Sequence, residues 1–425
     1  MNRNFKIGIV GLGYVGFPLA CLFAGKYPVV GFDLNPTRVK QLSDGIDNNN
    51  EVSPDKHAAA LAGGMRLTTD ADELRDCNVY IVAVPTPVDR HHHPDMSPLD
   101  GASRIIGRVL SKGDIVIFES TVYPGATEEF CAPIIEDVSG LRLNEDFYLG
   151  YSPERINPGD RVHTVENIIK ITSGSTPEIA DVIDRLYGSV LLNGTHKASS
   201  IKVAEAAKIM ENTQRDINIA FMNEMSMIFN AVDIDIYDVI EAASTKWNFL
   251  RFTPGLVGGH CISVDPYYLI ERSEDKGIYP RLTTEARRIN NAMGKYIVEK
   301  LVNKMTIANI PVVNSRILIL GFTFKENCPD VRNTKIADIY NLLHRYTSNV
   351  DVYDPWADPE TVKKHYGIHL ISDSAELRRG DYDAVIYCVK HSDFDSIGLE
   401  SLCRQGGIFF DVKGNIDRKI STHRL

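Results

Sequence analysis

The stretch FTPGLVGGHCISVDPYY, residues 252–268, places a cysteine, Cys261, directly after a glycine pair, with Asp265 four residues later. Glycines let the backbone approach a ligand closely, although they cost conformational entropy on folding. A cysteine beside such a loop is either a small buried hydrophobic residue or a reactive thiol. Other motifs in the sequence are needed to distinguish these two interpretations.

A second group of chemically capable residues lies in the helical stretch AEAAKIMEN. Glu205, Lys208 and Asn212 stand at i, i+3 and i+7, which places them on one helix face. A solvated charged face is the ordinary interpretation, but Lys208 and Asn212 lie among Ala, Ile and Met. A lysine and an amide placed together can hold a water or stabilise a developing oxyanion. Spacing alone leaves both interpretations open.

A glycine fingerprint near the N-terminus predicts a nucleotide site. IGIVGLGYVGFPLA contains G-x-G-x-x-G as Gly11, Gly13 and Gly16, between a predicted strand and a predicted helix. This spacing allows a tight turn, close approach to a pyrophosphate and close helix–strand packing. Asp33 ends the next strand, where a carboxylate binds the ribose 2′-OH and repels a 2′-phosphate. We therefore predict NAD rather than NADP, although Arg38 nearby leaves NADP open.

Two further motifs end strands at the same predicted sheet edge: VPTP, residues 84–87, and ESTVYPG, residues 119–125. Ligands of open α/β sheets bind at the carboxyl ends of the strands. Thr86, Ser120 and Thr121 are therefore predicted cofactor or water contacts, with ordinary turn-capping hydroxyls as the alternative. A nicotinamide cofactor implies hydride transfer. The predicted cofactor-binding set is Gly11, Gly13, Tyr14, Val15, Gly16, Asp33, Arg38, Pro85, Thr86, Ser120 and Thr121.

These residues have to be positioned by an α/β architecture. Short apolar strands alternate with helical stretches up to about residue 175, which predicts a parallel sheet. A long helical pattern begins near residue 198, and α/β texture resumes with SRILILGFTF and NVDVYDP. We predict two Rossmann-like, doubly wound parallel-sheet domains joined by a central helical domain with a long connecting helix. The predicted boundaries are 1–197 for the NAD-binding domain, 198–310 for the helical domain and 311–425 for the C-terminal α/β domain.

Composition and charge narrow the function classes. The 425 residues carry a formal net charge of −10, which argues against a nucleic-acid partner. An anionic substrate would therefore need locally placed cations or helix N-termini. No apolar run reaches the length of a membrane span, and the N-terminus has no signal-peptide layout. Seven scattered cysteines without a CxxC pair fit a reducing compartment. We expect a cytoplasmic protein without membrane contact.

The motifs taken together resemble those of the UDP-glucose/GDP-mannose dehydrogenases, in the same three-part order over essentially the whole chain. The resemblance rests on GLGYVG, VPTP, ESTVYPG, SPERINPG, AEAAKIMEN, PGLVGGHC…D and GFTFKENCPDVRNTK. Members of this family oxidise C6 of a nucleotide sugar from alcohol to carboxylate with two NAD per turnover, so the resemblance implies that reaction here. It also implies UDP-sugar binding by residues 311–425. The long helical middle and the resemblance both predict a homodimer.

The resemblance assigns roles to individual residues. Cys261 looks like the nucleophile, which captures an aldehyde as a thiohemiacetal and is then oxidised to a thioester that water hydrolyses. Lys208 and Asn212 match the pair that polarises the C6 oxygen and stabilises the oxyanion. Asp265 and Thr121 match groups that order a catalytic water.

Further roles follow from the same resemblance. Glu154 matches the glutamate assigned to general-base help in thioester hydrolysis. Lys325 and Arg332 match basic positions that contact the substrate phosphate or bridge the two sites, and Asp330 is expected to orient Arg332. Arg332 therefore also joins the predicted cofactor set. The predicted substrate-binding set is Glu154, Arg155, Lys208, Asn212, Arg215, Arg251, Phe252, Gly255, Gly258, Gly259, Lys325 and Arg332.

Two differences from the UDP-glucose members reduce the number of expected substrates. Those members typically read C-x-P-K-D after the glycines, whereas this chain reads C-I-S-V-D, with Val264 in place of a lysine that contacts the cofactor. They also carry Phe after S-P-E, where Arg155 stands here. The motifs are closer to the bacterial branch that acts on UDP-N-acetylhexosamines. We expect UDP-GalNAc or UDP-GlcNAc as substrate, for capsule or O-antigen precursors. Arg155 and Arg251 are candidate sugar or phosphate contacts, with surface arginines as the alternative.

Other functions stay open at this point. UDP-ManNAc and UDP-glucose differ from the favoured sugars by features that the motifs do not resolve. A two-electron dehydrogenase of related architecture would need neither a cysteine in the glycine loop nor a third domain. A catalytically silent NAD or nucleotide-sugar binding regulator is expected to have lost Cys261 or Lys208. We predict no metal site, and DRHHHPD, residues 89–95, is interpreted as a polar loop, with chance metal affinity as the alternative.

Overall fold

The computed structural model describes residues 4–49, 51–89, 91–156 and 164–425. The chain forms two compact units. The first takes the residues up to Glu211 together with Tyr267–Ile278, and the second takes Asn212–Pro266 and Tyr279–Leu425. The end of the SPERINPG motif, residues 157–159, lies outside the described residues.

The strands of the described residues fall into two sheets, one in each unit. The first sheet comprises β1 (Ile7–Val10), β2 (Val29–Phe32), β3 (Arg66–Thr68), β4 (Val79–Val82), β5 (Ile115–Phe118), β6 (Tyr148–Tyr151), β7 (Lys170–Gly174) and β8 (Thr195–Lys197). The second comprises β9 (Ile317–Leu320), β10 (Val350–Tyr353), β11 (Tyr382–Tyr387), β12 (Cys403–Asp411) and β13 (His423–Arg424).

The helices of the same residues lie between these strands, with four helices in succession between β8 and β9. They are α1 (Gly16–Ala24), α2 (Pro36–Ser43), α3 (Pro54–Ala62), α4 (Ser97–Val109), α5 (Ala132–Ser139), α6 (Pro177–Gly188), α7 (Ile201–Asn230), α8 (Ile236–Ala243), α9 (Asp265–Asp275), α10 (Arg281–Ile307), α11 (Ile336–Leu343) and α12 (Pro359–Tyr366). No helix in the described ranges is long and apolar enough to cross a membrane.

The sheet of the first unit has the strand order β3-β2-β1-β4-β5-β6-β7-β8. Neighbouring strands are parallel, except that β6 and β7 run antiparallel. The order of the first six strands is that of a doubly wound dinucleotide-binding fold. The strands β1, β2, β4 and β5 are buried along their whole length, as is usual for parallel strands covered on both faces.

The sheet of the second unit has the order β10-β9-β11-β12-β13, and all its pairs are parallel. Met293, Ile297 and Leu301 recur every four residues along α10 and share one hydrophobic cluster with Ile317 and Ile319 of β9. This recurrence gives the long helix an apolar stripe, which the sheet covers.

A buried polar cluster joins the second-unit part of α7 to α10. Arg287 Nη1 donates to Asp216 Oδ1 at 2.6 Å, and Asn290 Nδ2 donates to the same oxygen at 2.7 Å. Burial raises the pKa of Asp216, while Arg287 and Asn290 act in the opposite direction. Removing one partner from such a buried charged cluster is costly, so the cluster fixes the register between the two helices.

The predicted fold class is confirmed: there are two Rossmann-like sheets, a helical region and a long helix, α10. The strands β3, β7 and β8 were not predicted, because RLT, KITSG and THK lack the apolar run that marks the buried strands. The antiparallel β6–β7 pair also departs from the predicted all-parallel sheet. The boundaries 1–197, 198–310 and 311–425 stay predictions, because the compact units divide the chain inside α7 and α9.

Candidate active site

The glycine loop follows β1 and has the geometry that a pyrophosphate site requires. Gly11 has a φ of +94°, which side-chain-bearing residues rarely adopt. A Cβ added at Gly16 would lie 1.8 Å from the Gly11 carbonyl oxygen, so only glycine lets α1 pack this closely. At Gly13 nothing among the described residues lies within 4 Å of an added Cβ. The open space at Gly13 fits a ligand that approaches the backbone.

Asp33, directly after β2, is held by backbone amides. Its Oδ2 accepts from Leu12 N at 2.8 Å and its Oδ1 from Asn35 N at 2.8 Å. Arg38 donates through Nε to the Leu12 carbonyl at 2.9 Å and forms an ion pair with the buried Asp47 at 2.8 Å. The guanidinium is thus already neutralised within the protein. This arrangement fits NAD and offers little to a 2′-phosphate.

The side-chain hydroxyls that follow β4 and β5 differ in their burial and hydrogen bonding. Ser120 is buried and its hydroxyl donates to the Val84 carbonyl at 2.6 Å, which is the turn-capping arrangement. Its backbone carbonyl accepts from the Tyr151 hydroxyl at 3.1 Å. Thr86 and Thr121 are half-buried. Thr86 and Thr121 therefore stay predicted cofactor or water contacts at the carboxyl edge of the sheet.

Glu154 belongs to a buried ionic network that the sequence did not predict. Lys170 is fully buried, and its Nζ contacts Glu119 Oε2 at 2.5 Å and Glu154 Oε2 at 3.5 Å. The Tyr187 hydroxyl donates to Glu119 Oε1 at 2.5 Å. Burial raises the pKa of Glu119 to about 7, although Lys170 opposes the shift. The only sequence signal was that Glu119 opens the ESTVYPG motif.

Glu154 itself is 7% exposed and held on both carboxylate oxygens. Its Oε1 accepts from the backbone N–H of Arg155 at 2.5 Å and of Ile156 at 2.7 Å. The Arg155 side chain forms an ion pair with Glu211 at 2.8 Å and donates to the Ile169 carbonyl at 2.9 Å. Arg155 is thus exposed but paired, and its predicted contact to sugar or phosphate stays a prediction.

The polar face of α7 is buried rather than solvated. Glu205, Lys208 and Asn212 are exposed by 0%, 7% and 9%. Glu205 accepts from the backbone N–H of Gly125 and of Thr127, and burial raises its pKa to about 7. Glu205 thus caps a turn of the first unit. The predicted role of Lys208 and Asn212 as a pair that acts on a ligand stays a prediction.

The loop that carries Cys261 is pinned by backbone contacts within the second unit. Asn223 Oδ1 accepts from Gly255 N at 2.8 Å, and its Nδ2 donates to the Gly255 carbonyl at 3.0 Å. A Cβ at Gly258 would lie 2.8 Å from the Asn333 carbonyl, and Asn333 Nδ2 donates to the Gly259 carbonyl at 3.0 Å. Gly258 therefore allows backbone to pack closely on backbone, whereas a Cβ at Gly259 would meet the Phe324 ring at 2.8 Å. Asn223 was not predicted.

Cys261 sits at the entry to α9. Its carbonyl accepts from Val264 N at 2.9 Å and Asp265 N at 2.8 Å, so the loop turns directly into the helix. Asn212 Nδ2 donates to Asp265 Oδ2, which brings two predicted catalytic groups together. Val264 is buried at 2% exposure, which suits an apolar residue better than a lysine.

Cys261 is half-buried, as are Cys21 and Cys403, whereas the remaining four cysteines are buried. Burial raises the pKa of Cys77 to about 11 and those of Cys21, Cys131, Cys388 and Cys403 to about 12. Thiols with pKa values this high stay protonated and unreactive at neutral pH.

A charged cluster next to Cys261 was only partly predicted. Arg332 donates from Nε to Asp330 Oδ1 at 2.9 Å and from Nη2 to Oδ2 at 2.6 Å, as expected for an aspartate that orients this arginine. His260, which was not singled out, places Nδ1 3.4 Å from Asp330 Oδ2. The basic candidates Arg215 and Arg251 are exposed, while Phe252 and Lys325 are half-buried.

The predicted residues thus fall into two groups. The first unit holds the glycine loop, Asp33, Thr121, Glu154 and Lys208, and the second unit holds Asn212, Cys261, Asp265 and Arg332. Within the described residues there is no group of three or more His, Cys, Asp or Glu side chains that could hold a metal ion.

Comparison with known proteins places this architecture in a family. Models described as the NAD binding, central and UDP binding domains of the UDP-glucose/GDP-mannose dehydrogenase family match residues 5–191, 202–292 and 318–418. The chain therefore belongs to the UDP-glucose/GDP-mannose dehydrogenase family. It is an NAD-dependent nucleotide-sugar dehydrogenase with a UDP-sugar substrate, and the predicted family, enzyme class and cofactor are confirmed.

Individual relatives are similar to this chain over nearly its full length. A UDP-N-acetyl-D-glucosamine 6-dehydrogenase of Pseudomonas aeruginosa is 52% identical over 100% of both chains. One of Salmonella typhi is 50% identical over 99% of this chain and 98% of its own. The structure of a UDP-D-ManNAc dehydrogenase from Pyrococcus horikoshii has a TM-score of 0.89 at 30% identity, over 99% of this chain and 98% of that one.

Proposed function

We propose that this enzyme oxidises C6 of UDP-N-acetyl-D-glucosamine from alcohol to carboxylate through a covalent intermediate on Cys261. The observation that carries the chemistry is the position of Cys261, half-buried on a glycine loop whose backbone accepts hydrogen bonds from Asn223 and Asn333 and donates one to Asn223. The choice of sugar rests on the two relatives at about half identity, both named for UDP-N-acetyl-D-glucosamine.

The glycine loop and Asp33 hold the cofactor in this proposal. Bound NAD supplies a hydride acceptor for each of the two oxidation steps. Lys208 and Asn212 donate hydrogen bonds to the C6 oxygen, which stabilise negative charge as it develops there. The first oxidation removes a hydride, which the cofactor takes up, and a proton, which the water ordered by Thr121 and Asp265 takes up, and leaves an aldehyde.

Cys261 then attacks the aldehyde carbon. An S–C bond forms, and the carbonyl electron pair moves to the oxygen, which Lys208 and Asn212 stabilise. Loss of a second hydride turns this thiohemiacetal into a thioester. Water ordered by Thr121 and Asp265, with Glu154 as base, adds to the carbonyl, breaks the C–S bond and releases the carboxylate. Lys325 supplies positive charge that a diphosphate needs against the net charge of −10, and Arg332, which is paired with Asp330, contributes less charge. The product is an activated uronic acid, which glycosyl transfer into surface polysaccharide would consume.

The experiment that tests this function is the number of NADH formed per sugar at saturating NAD, with UDP-GlcNAc, UDP-GalNAc, UDP-ManNAc and UDP-glucose in parallel. We expect two NADH and a carboxylate product, with UDP-GlcNAc fastest. Cys261→Ser should lower overall turnover at least about a thousandfold, because no thioester can form. Cys403→Ser, at a half-buried cysteine elsewhere, should keep two NADH per sugar. One NADH with free aldehyde from the native enzyme would refute the covalent mechanism, and a faster rate with another sugar would refute the substrate.

We also propose that the chain forms a homodimer through α7. Four exposed apolar side chains, those of Val203, Met210, Phe221 and Ile228, follow one another at intervals of 7, 11 and 7 residues. Both intervals are close to whole numbers of helical turns, so the four side chains lie on one side of the helix. An apolar stripe of this length is rare on a free surface, and a second copy of the same helix would cover it.

A further inference from the structure

The loop that follows β9 carries Lys325, the residue that the proposed function assigns to the diphosphate of the sugar. Lys325 lies within residues 318–418, the part of the chain that matches the UDP binding domain model. The loop leaves the sheet after Leu320 and reaches the next helix, α11, at Ile336. A binding side chain on such a loop keeps its place only where neighbouring segments anchor the backbone. The anchors of this loop therefore bear on substrate binding.

His391, from the segment after β11, contacts this loop on both sides of Lys325. Its Nδ1 accepts from the backbone N–H of Asn327 at 3.0 Å. Its Nε2 lies 3.1 Å from the hydroxyl oxygen of Thr323, which in turn donates to the Lys325 carbonyl at 2.9 Å. One imidazole ring therefore holds the backbone before and after Lys325.

These contacts fix the tautomer of the ring. A backbone N–H can only donate, so Nδ1 of His391 carries no proton, and the proton of the neutral ring is on Nε2. Nε2 faces the Asp354 carboxylate, at 3.1 Å from Oδ2, as well as Thr323. Because the Thr323 hydroxyl gives its own proton to Lys325, its oxygen and that of Asp354 both act as acceptors for the Nε2–H. Each ring nitrogen thus has a separate task, one toward Asn327 and one toward Asp354 and Thr323.

The anchor itself is enclosed by the second unit. His391 and Asp354 are 0% and 1% exposed. Besides His391, four backbone N–H groups donate to the Asp354 carboxylate at 2.6–3.0 Å, those of Phe322, Thr323, Trp356 and Ala357. The Trp356 ring lies nearly parallel to the imidazole, at 15° and 6.3 Å between centroids. A side chain enclosed in this way has one fixed position, which suits it to hold a more exposed loop.

The residue after His391 adds a second contact to the loop. The backbone N–H and the hydroxyl of Ser392 both donate to Asn327 Oδ1, at 3.0 and 3.1 Å. Asn327 is exposed and has a φ of +53°, a conformation that asparagine adopts more readily than most residues. The backbone two residues after Lys325 is thus held through both the main chain and the side chain of Asn327.

We propose that His391 is a positioning residue for the UDP-sugar, because it holds Lys325 where the diphosphate binds. It acts through the Asn327 N–H and the Thr323 hydroxyl. The inference rests on the role of Lys325 in the proposed function, but not on the covalent chemistry of Cys261. Weakening this anchor reduces the binding of UDP and of the UDP-sugar to a similar extent and leaves the chemical steps intact, since ground state and transition state share the diphosphate contact.

The test is a pair of amide variants of His391 in the full-length protein. In His391→Asn the amide oxygen takes the place of Nδ1 and can still accept from the Asn327 N–H, whereas the contact with Asp354 is lost. In His391→Gln the amide N–H takes the place of Nε2 and can still donate to Asp354, whereas the Asn327 N–H loses its acceptor. Each variant loses one buried hydrogen bond, so we expect similar falls in melting temperature.

The affinity for UDP, measured by isothermal titration calorimetry, should differ between the two variants. We expect it to fall about tenfold in His391→Gln and at most about threefold in His391→Asn, because one hydrogen bond contributes a factor of this order. The KM for UDP-GlcNAc should rise in the same pattern, with kcat within about twofold of the native value. Equal losses of UDP affinity in the two variants would overturn the proposal.

A double variant tests whether His391 acts through Lys325. Lys325→Met should weaken UDP binding about tenfold or more, because it removes a positive charge from the diphosphate site. Adding His391→Gln to Lys325→Met should then weaken UDP binding by less than about twofold. Lys363→Met, at an exposed lysine of α12, is the matched control and should leave UDP affinity unchanged. Full additivity of Lys325→Met and His391→Gln would overturn the proposal.

A variant at an exposed position covers the case in which the His391 variants do not fold. Asn327→Gly removes the contacts from Ser392, and glycine accepts the positive φ at this position, so the fold is retained. We expect UDP affinity to fall about threefold, and native affinity in this variant would contradict the anchor.

The outcomes also separate this inference from the proposed function. Weaker UDP binding in His391→Gln, together with no oxidation of UDP-GlcNAc by the native enzyme, would refute only the function. Two NADH per sugar from the native enzyme, together with undiminished UDP affinity in His391→Gln, would refute only the role of His391.

Discussion

Gly13 and Gly16 belong to one nucleotide-binding loop, yet an added methyl group would meet different surroundings at the two positions. At Gly16 it would lie 1.8 Å from the Gly11 carbonyl, whereas at Gly13 it would meet nothing within 4 Å among the described residues. The first contact belongs to the fold and the second position faces the ligand. The structure thus separates two roles that the sequence motif presents together.

This separation predicts a matched pair of variants. Gly13→Ala should leave the melting temperature almost unchanged and weaken NAD binding about tenfold or more, because a methyl group would occupy the space of the pyrophosphate. Gly16→Ala should both lose NAD affinity and destabilise the fold by more than about 2 kcal/mol, because backbone would have to move. Thermal unfolding and NAD titration of both variants check this. Equal destabilisation of the two would contradict the assignment.

His260 also predicts a pH dependence of stability. Its pKa is raised from 6.5 to about 9 in the folded protein. The stability that it contributes is therefore fully present below about pH 6.5 and is lost as the pH rises through about 9. The difference in melting temperature between the native protein and His260→Gln should be large at about pH 6 and shrink by about pH 9.5. A difference independent of pH would mean that the imidazole is not charged in the folded state.

Among the elements, β5 and β7 are linked through side chains although they are not neighbours in the sheet. Glu119 follows β5, Lys170 opens β7, and the two side chains meet in the buried interior. The pair holds Glu154 through Lys170, so strand packing and the proposed general base depend on one ammonium group.

We predict that Lys170→Met destabilises the protein by about 3–5 kcal/mol, because Glu119 would be left buried without its cation. Adding Glu119→Gln should recover part of this loss, since only Glu154 then lacks its contact with the Lys170 ammonium group. Urea unfolding of the native protein, both single variants and the double variant gives the coupling energy. If the two substitutions have additive effects on the free energy of unfolding, the coupling energy between Glu119 and Lys170 is zero, which would contradict the prediction.

For the whole molecule, the exposed stripe on α7 predicts the oligomeric state. Met210→Glu places a charge at the centre of that stripe and should convert a dimer to monomers in sedimentation equilibrium, because an unpaired charge is costly in an apolar interface. Val313→Glu, at an equally exposed apolar residue outside α7, should stay dimeric. A native protein that sediments as a monomer would refute the dimer itself.

Sequence alone predicted the parts of this protein that local spacing encodes. The glycine fingerprint, Asp33 after β2, the cysteine after its glycine pair and the alternation of strands and helices are each contiguous patterns, so periodicity and motif spacing were sufficient for them. The resemblance that these motifs carry also indicated the family, the cofactor and the reaction class.

Only the tertiary structure decided which charges meet. His260 and Arg332 are 72 positions apart, and Glu119 and Lys170 are 51 apart. No local period connects such pairs, and a histidine or lysine read from sequence is ordinarily assigned to the surface. These side chains are instead buried or half-buried. A charge removed from water needs a counter-charge or a hydrogen bond, and here a residue from a distant segment provides it. The electrostatic surroundings of Cys261 were therefore beyond the reach of spacing arguments, although Cys261 itself was not.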